Sequence, residues 1–477
     1  MASTDPPASE GEPRSERQSP SEASDDGVSP ENAPLPPGPN GLPVVGSTFR
    51  ATRDGVAFAE SLGKYGDVVS YDAFGTTFVA VSRPDLLEAV LVSRNDEFWK
   101  GEYERAFGEL IAPEGLAFTE GERWRRQRTL LQSTFTPDRV RSYGDVMVDL
   151  AAATADRWAD GEVVRADEAF ASLTLRILTR TLFDVDLGGE RGRAVRDFAA
   201  ALREYVDAMG VNTLLPEWVP TPSRRRHDRA TAALDDLVET LIAERDGTGD
   251  DLLSTLVDAE FPDGTTMDHD TVRDQLVTFL FAGHETTATA LTYACWLLAG
   301  RDDVRKRLDA ELDAVLGDRD PTVADLPELE YLDSVVRETL RLYPPVYAVY
   351  REPRETTTLG GYRIPADATL QLSIYGVHRD ERWWDDPESF RPGRWTDDGS
   401  DADAAGGSDS RPEYAFCPFG GGPRHCIGMR FATMELKLAM ATLARRVEFD
   451  RVTETVDPEM NVTLDPGEVR LRARKRR

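Results

Sequence analysis

Residues 419–428, Phe419-Gly420-Gly421-Gly422-Pro423-Arg424-His425-Cys426-Ile427-Gly428, place one cysteine behind a glycine-rich loop and ahead of an apolar, helix-like run over 427–447. A thiol at a helix start sees the positive end of the helix dipole and unpaired backbone N–H groups, and both favour thiolate. Free cysteine titrates near about 8.5, and such surroundings can bring it below neutral. The glycines let backbone amides approach the sulfur or a flat ligand where a Cβ would block them. Arg424 adds a fixed positive charge two residues before the thiol. The residues therefore read as a thiolate metal ligand with an arginine for a nearby anionic group. The competing reading is a turn before a core helix with an inert, buried cysteine.

Position for position, these ten residues match F-x-x-G-x-R-x-C-x-G, and the chain resembles the cytochromes P-450, the haem-thiolate monooxygenases. The resemblance implies that Cys426 is the axial ligand of a haem b iron and that Phe419, Gly422 and Arg424 lie against the cofactor. It also implies a mainly α fold with a small β lobe, in which 36–477 form one large catalytic domain. Length alone, at 477 residues, suggests about three domains.

Charge narrows the partners. Five lysines stand against 51 arginines, and the formal net charge is -30. That balance argues against nucleic acid and anionic membrane surfaces. An acid-rich, lysine-poor surface keeps a protein hydrated in concentrated salt, which points to a halophilic, archaeal cytoplasm; the alternative is an acidic bacterial protein from an arginine-rich genome. Cys295, Cys417 and Cys426 are too few and too oddly spaced for a disulfide framework, as expected of a reducing compartment. No C-x-x-C-H haem attachment or paired zinc motif occurs. The N-terminus lacks a signal-peptide layout, so a cytoplasmic location is expected. The apolar run 276–298 carries His284, Glu285 and four threonines mid-span (five in all), which makes it a buried helix of a soluble protein and not a membrane anchor.

Residues 1–35, with eight acids, two arginines and hardly an apolar side chain, are expected to be a disordered tail. Pro36, Pro37, Gly38 and Pro39 make a stiff start to the folded part. Strands are predicted within 66–82 around a Gly75 turn and within 356–372 around Gly360-Gly361. Helical patterns dominate from Arg83 onward, and the acidic run 397–410 reads as a solvated loop.

Three further motifs follow the family order. Trp124 and Arg128 sit at i and i+4 on one helix face, where an indole N–H and a guanidinium suit a carboxylate. By the resemblance they hold a haem propionate; alone they also fit the start of a basic amphipathic helix. Ala282-Gly283-His284-Glu285-Thr286-Thr287 puts adjacent polar residues inside an apolar helix, which is costly unless they are satisfied or used. Gly283 and Thr286 share a face, giving a gap beside a hydroxyl. The match to A-G-x-[DE]-T-[TS] implies that Thr286 steadies dioxygen and a water and that Glu285 relays protons. The alternative is threonines bonding back to the helix carbonyls. Ala288 rules out the H-E-x-x-H zinc helix. Glu338 and Arg341 form E-x-x-R, and with Arg394 of 390–395 they resemble the family's buried Glu-Arg-Arg cluster, a scaffold for the haem loop.

Arg351, eleven residues before Tyr362, matches an arginine that in relatives binds the haem carboxylates; the alternative is Arg354 pairing with a glutamate at the surface. Cys417 stands where the family often has an aromatic residue, and Gly393 where it often has an acid. The expected activity is insertion of one oxygen atom of dioxygen into an apolar, lipid-like substrate such as a fatty acid or isoprenoid, by a monomer. Electrons are expected from NAD(P)H through ferredoxin reductase and ferredoxin, since no flavin or iron–sulfur module follows Cys426 in the remaining fifty or so residues. Rival readings are a peroxide-dependent haem-thiolate enzyme and a non-catalytic haem sensor. The substrate pocket is expected from 98–118, 191–215, 279–283 and 346–349, including Phe107, Leu110, Ile111, Leu214, Leu215, Phe279 and Val346.

Overall fold

The longest element is a 31-residue helix, His269–Ala299, buried along most of its length. It starts where expected of a capped helix: Asp268 accepts the Thr271 N–H at 2.7 Å. This computed structural model describes residues 30–476 apart from 213–214, 217, 245–250, 259–260, 262–263 and 397–410. Leu214 and the acidic run 397–410 thus lie outside the described residues.

Around the central helix pack Ala166–Leu182, Glu330–Leu342 and Met429–Arg446, and the largest apolar cluster runs from Ile111 to Ala473 through all of them. The side chains are hydrophobic nearly all round the central helix, so it forms the axis of the α lobe. No helix of the described residues is long and apolar enough to cross a membrane.

The β lobe is a five-stranded sheet in the order Val68–Ala73, Thr76–Val81, Thr369–Ser373, Ala348–Pro353, Phe98–Trp99. The first two strands pair antiparallel with Ala73 opposite Thr76, and Phe74 and Gly75 both take positive φ in the two-residue turn between them. Gly360 and Gly361, at φ 59° and 82°, close the hairpin Thr357–Leu359 with Tyr362–Ile364. Both strand regions thus fall where alternation and turn residues put them.

The start of the chain needs a correction. Residues 30–35 were expected to belong to the disordered tail, yet Ala33 is buried and the Pro34 carbonyl accepts the Arg363 N–H at 2.8 Å. Three residues on, the Pro37 carbonyl accepts the Ser70 N–H at 2.8 Å. Attachment to strand edges holds this proline-rich segment without a core of its own. Residues 1–29 lie outside the described residues.

Candidate active site

The cysteine loop is shaped by its glycines. Gly422, at φ 64°, lies so close to the turn Ala89–Ser93 that a Cβ would stand 1.8 Å from the Leu91 carbonyl oxygen. The Cys426 N–H donates to the Phe419 carbonyl at 3.0 Å, and Gly428 then caps the helix Met429–Arg446. Gly422 therefore serves the loop's packing against that turn.

Cys426 is solvent-accessible, yet it sits deep in the protein mass. That depth raises its thiol pKa, while the Gly428 N–H and the Arg128 guanidinium pull the other way. Burial is the larger effect on the free thiol.

Beside the loop lies a group of cations, some buried and some half-buried. Arg128 donates to the His425 carbonyl at 3.0 Å, and the Arg424 guanidinium stacks on the Trp124 ring at 4.4 Å. Arg424 also pairs with Glu120 at 2.9 Å and donates to the Thr119 carbonyl at 2.8 Å. Arg351 is 7% exposed, and among the described residues its guanidinium reaches only the neighbouring Tyr350 carbonyl, at 2.6 Å. Arg354, the alternative, is half exposed and lies 4.0 Å from Glu120.

Lys100, one of only five lysines, completes the group by pairing with Glu104 at 3.1 Å. Burial depresses the pKa values of Lys100, Arg351 and Arg424, the last to about 10; Arg351 and Arg424 lower Lys100 further, and Arg351 lowers Arg424. Two carboxylates, Glu104 and Glu120, thus stand among four cations. A buried positive surplus of two is costly unless an anion neutralises it. Haem b carries two propionates, so the residues present fit it in charge and in thiol ligand.

Midway along the central helix, Ala282 is exposed and Phe281, Gly283 and Thr286 are partly so. Thr286 donates to the Ala282 carbonyl at 2.9 Å, the back-bonded geometry open to any helical threonine. Gly283 does not leave the expected gap. A Cβ there would meet Leu178 Cδ1 at 2.7 Å, so this glycine lets the helix Ala166–Leu182 approach the central one.

Glu285, 8% exposed, turns from the cleft to ion-pair with Arg203 on the helix Arg193–Asp207. Arg203 also lies 3.4 Å from Asp465, in the two-stranded unit Glu459–Met460 with Leu464–Asp465. Sequence reasoning gave neither Arg203 nor Asp465, because no local spacing links them to Glu285.

Behind the cysteine loop, Glu338 is fully buried and held from four directions. Arg341 donates to it at 2.8 and 3.0 Å, Arg394 at 3.0 Å, the Trp395 indole at 2.9 Å and the Arg391 N–H at 3.0 Å. Burial works to raise the Glu338 pKa, but the arginines outweigh it and the carboxyl stays below its usual range. Arg341 continues outward to the His378 carbonyl at 2.8 Å, and His378 accepts the Cys417 N–H at 2.9 Å. The Glu338–Arg341–Arg394 cluster is thereby tied to the segment that leads into residue 419. His378, a second residue missed from sequence, is the tie.

Of the side chains expected around the substrate, Phe107 and Val346 line a cavity of about 530 Å3. Ile111 and Phe279 belong instead to the core, where Phe279 stacks on Phe135, and Leu215 is exposed.

Comparison with known proteins agrees with this geometry. Cyclooctat-9-en-7-ol 5-monooxygenase of Streptomyces melanosporofaciens is 34% identical over 416 residues, covering 86% of this chain and 88% of its own. Pentalenene oxygenase of Streptomyces avermitilis is 34% identical, covering 89% of this chain and 92% of its own. The solved structure of retinoic acid bound cyanobacterial CYP120A1 superposes with a TM-score of 0.82 at 25% identity, covering 93% of this chain and 100% of that one. The family model described as Cytochrome P450 matches residues 36–472, and the chain belongs to the cytochrome P450 family of monooxygenases.

Proposed function

We propose that this enzyme inserts one atom of dioxygen into a terpenoid, with electrons from NAD(P)H delivered by a ferredoxin and its reductase. The relatives support the substrate class, since their names specify an unsaturated alcohol and pentalenene. The observation that carries the reading is the buried surplus of two cations beside Cys426, a dianion-binding cradle next to one thiol. Bound haem supplies the centre at which dioxygen is activated, and thiolate donation favours O–O cleavage.

Each residue then has a task. Cys426 would hold the haem iron through its thiolate. Lys100, Arg128, Arg351 and Arg424 neutralise the propionates. Thr286, its proton committed to the Ala282 carbonyl, keeps its oxygen lone pairs free to accept a hydrogen bond from water in the cleft. Glu285, ion-paired with Arg203, passes protons from the side of the helix away from the cleft. The overall change, one C–H bond and dioxygen to an alcohol and water, consumes two electrons and two protons, and those protons must reach one oxygen.

A salt-adapted, halophilic source is carried by the charge of -30 alone; the relatives named above are bacterial. An acidic enzyme and an acidic ferredoxin repel each other in dilute buffer, so reduction is expected to quicken as salt rises.

The reduced, carbon-monoxide-bound spectrum tests the ligand: absence of the thiolate signature ends the haem-thiolate reading. Turnover with donor and oxygen, set against turnover with peroxide alone, tests the electron source. Equal or faster turnover with peroxide alone would favour the peroxygenase instead.

A further inference from the structure

Arg203 serves two carboxylates. Its Nη1 pairs with Glu285 Oε1, and its Nε lies 3.4 Å from Asp465 Oδ2. Among the described residues no third carboxylate comes within ion-pair distance of it. All three groups are shielded from solvent: the side chains of Glu285, Asp465 and Arg203 are 10%, 22% and 33% exposed. Burial works against the arginine's charge, but the attraction of Glu285, and then of Asp465, more than offsets it, and the Arg203 pKa is raised.

Asp465 is held in place without the arginine. Its Oδ1 accepts the Gly467 N–H at 2.8 Å. One residue earlier, the Leu464 carbonyl accepts the Tyr293 hydroxyl at 3.1 Å, and the Leu464 N–H donates to the Pro345 carbonyl at 2.9 Å. Tyr293 stands on the central helix about two turns beyond Glu285. The strand pair that carries Asp465 is thus pinned to the helix that carries Glu285. Other charges nearby are engaged or absent. Asp167 takes Arg165 at 2.6 and 3.1 Å, and burial keeps His284, 3.7 Å from Glu285, neutral.

Two carboxylates against one guanidinium leave one negative charge in excess, so the group can take up one proton without leaving its cation unpaired. That matters for a residue that must pass protons. A carboxylate held by a buried arginine of its own can be protonated only by leaving the guanidinium uncompensated, which is costly. Here, when Glu285 takes a proton from water, its contact with Arg203 Nη1–H is lost, a carboxyl O–H forms, and Asp465 remains as counter-anion. When Glu285 releases the proton, the ion pair re-forms. The exchange moves one proton and no electrons.

Resting on the proton role given to Glu285 above, we propose that Asp465 is a positioning residue for proton delivery: it keeps Arg203 neutralised while Glu285 carries the proton, and so lets Glu285 leave its ion pair in each cycle.

Two measurements on the haem-loaded protein test this. The first is a stability cycle. Asp465→Asn and Glu285→Gln each leave Arg203 one carboxylate, and the double variant leaves it none. The loss of thermal midpoint in the double variant should therefore exceed the sum of the two single losses. An additive cycle overturns the proposal. The second is dioxygen uptake driven by NADPH through saturating plant-type ferredoxin and its reductase, with pentalenene present, in light and in heavy water. Asp465→Asn should slow uptake by about tenfold, less than loss of the proton carrier itself, and should enlarge the solvent isotope effect. Its reduced carbon-monoxide spectrum should be unchanged, and Asp465→Glu, which restores the charge, should recover most of the rate. A rate and isotope effect equal to wild type, or a slower rate with an unchanged isotope effect, also overturns the proposal. Glu285→Gln separates the two failures. If it too leaves the isotope effect at the wild-type value, the proton role of Glu285 is what fails; an enlarged effect in Glu285→Gln with none in Asp465→Asn sinks only the role of Asp465.

Discussion

Arg203 and Glu285 stand 82 positions apart in sequence and form one ion pair between the helix Arg193–Asp207 and the central helix. The same guanidinium reaches Asp465 at 3.4 Å, so three segments meet at one side chain. Replacing Arg203 by Ala leaves two carboxylates together without their cation. The expected cost is about 1–2 kcal/mol of stability, less than for a fully buried pair because the arginine is one-third exposed. The sharper readout is product formed per electron consumed. It should fall several-fold in Arg203→Ala with an unchanged reduced carbon-monoxide spectrum, and Arg203→Lys should recover most of it. Undiminished coupling in Arg203→Ala would remove Glu285 from the proton path.

The cation cradle predicts how tightly haem is kept. Lys100→Met or Arg351→Met removes one charge of the surplus pair and should speed haem transfer to apomyoglobin by about tenfold, corresponding to about 1.4 kcal/mol. Glu104→Gln goes the other way in charge and should leave haem retention undiminished. If Lys100→Met holds haem as firmly as the wild type, this lysine is only a partner for Glu104.

How much of this was legible depended on range. The i, i+3 pair of Glu338 and Arg341 lies on one helix turn, so the spacing and the family resemblance together pointed to it, and the two side chains stand 2.8 Å apart. The hairpin at Gly360-Gly361 was equally local, because positive φ is a property of the residue. Lys100, Arg203 and His378 were not legible, since each meets its partners only after distant segments pack. Gly283 shows the opposite error. A glycine beside a threonine on one helix face reads as open space, but which neighbour occupies that space is set by another helix, here through Leu178.

Glu435, on the helix that follows the cysteine loop, is wholly buried, and among the described residues neither carboxyl oxygen has a hydrogen-bond partner. The closest polar neighbour is Thr287, whose own hydroxyl is directed to the Gly283 carbonyl at 3.4 Å. Burial pushes the Glu435 pKa well above the usual carboxylate value of 4.5, so the folded protein holds this group neutral. The sign follows: stability is fully present below 4.5, where folded and unfolded chains are both protonated, and declines as pH rises and the unfolded chain ionises. Glu435→Leu, which removes both unpaired oxygens at similar volume, should stabilise by about 1–3 kcal/mol. Its advantage in thermal midpoint should be larger at pH 8 than at pH 5. A variant that is less stable at both values would show that a water or partner satisfies the carboxyl.

His378 sets the opposite pH dependence. Burial first, then the positive charge of Arg341, depresses its pKa to about 3, from 6.5 in an unfolded chain, while its hydrogen bonds to the Arg341 and Leu340 carbonyls pull weakly the other way. The folded protein therefore keeps the ring neutral, with Nδ1–H donating to the Arg341 carbonyl at 3.2 Å and Nε2 accepting the Cys417 N–H at 2.9 Å. An imidazolium has no acceptor nitrogen, so protonation would set N–H against N–H behind the cysteine loop. Stability from this residue is complete above 6.5 and is lost as pH falls toward about 3, at up to about 1.4 kcal/mol per pH unit. Acidification through this window should convert the thiolate-type carbon-monoxide spectrum to one lacking the thiolate. His378→Asn keeps one donor and one acceptor without a titrating proton, so it should retain the thiolate signature at pH 7 and flatten its loss below pH 6. His378→Phe keeps the bulk and loses both bonds, so it should weaken the signature at every pH. Identical acid profiles for wild type and His378→Asn would assign the loss to other groups.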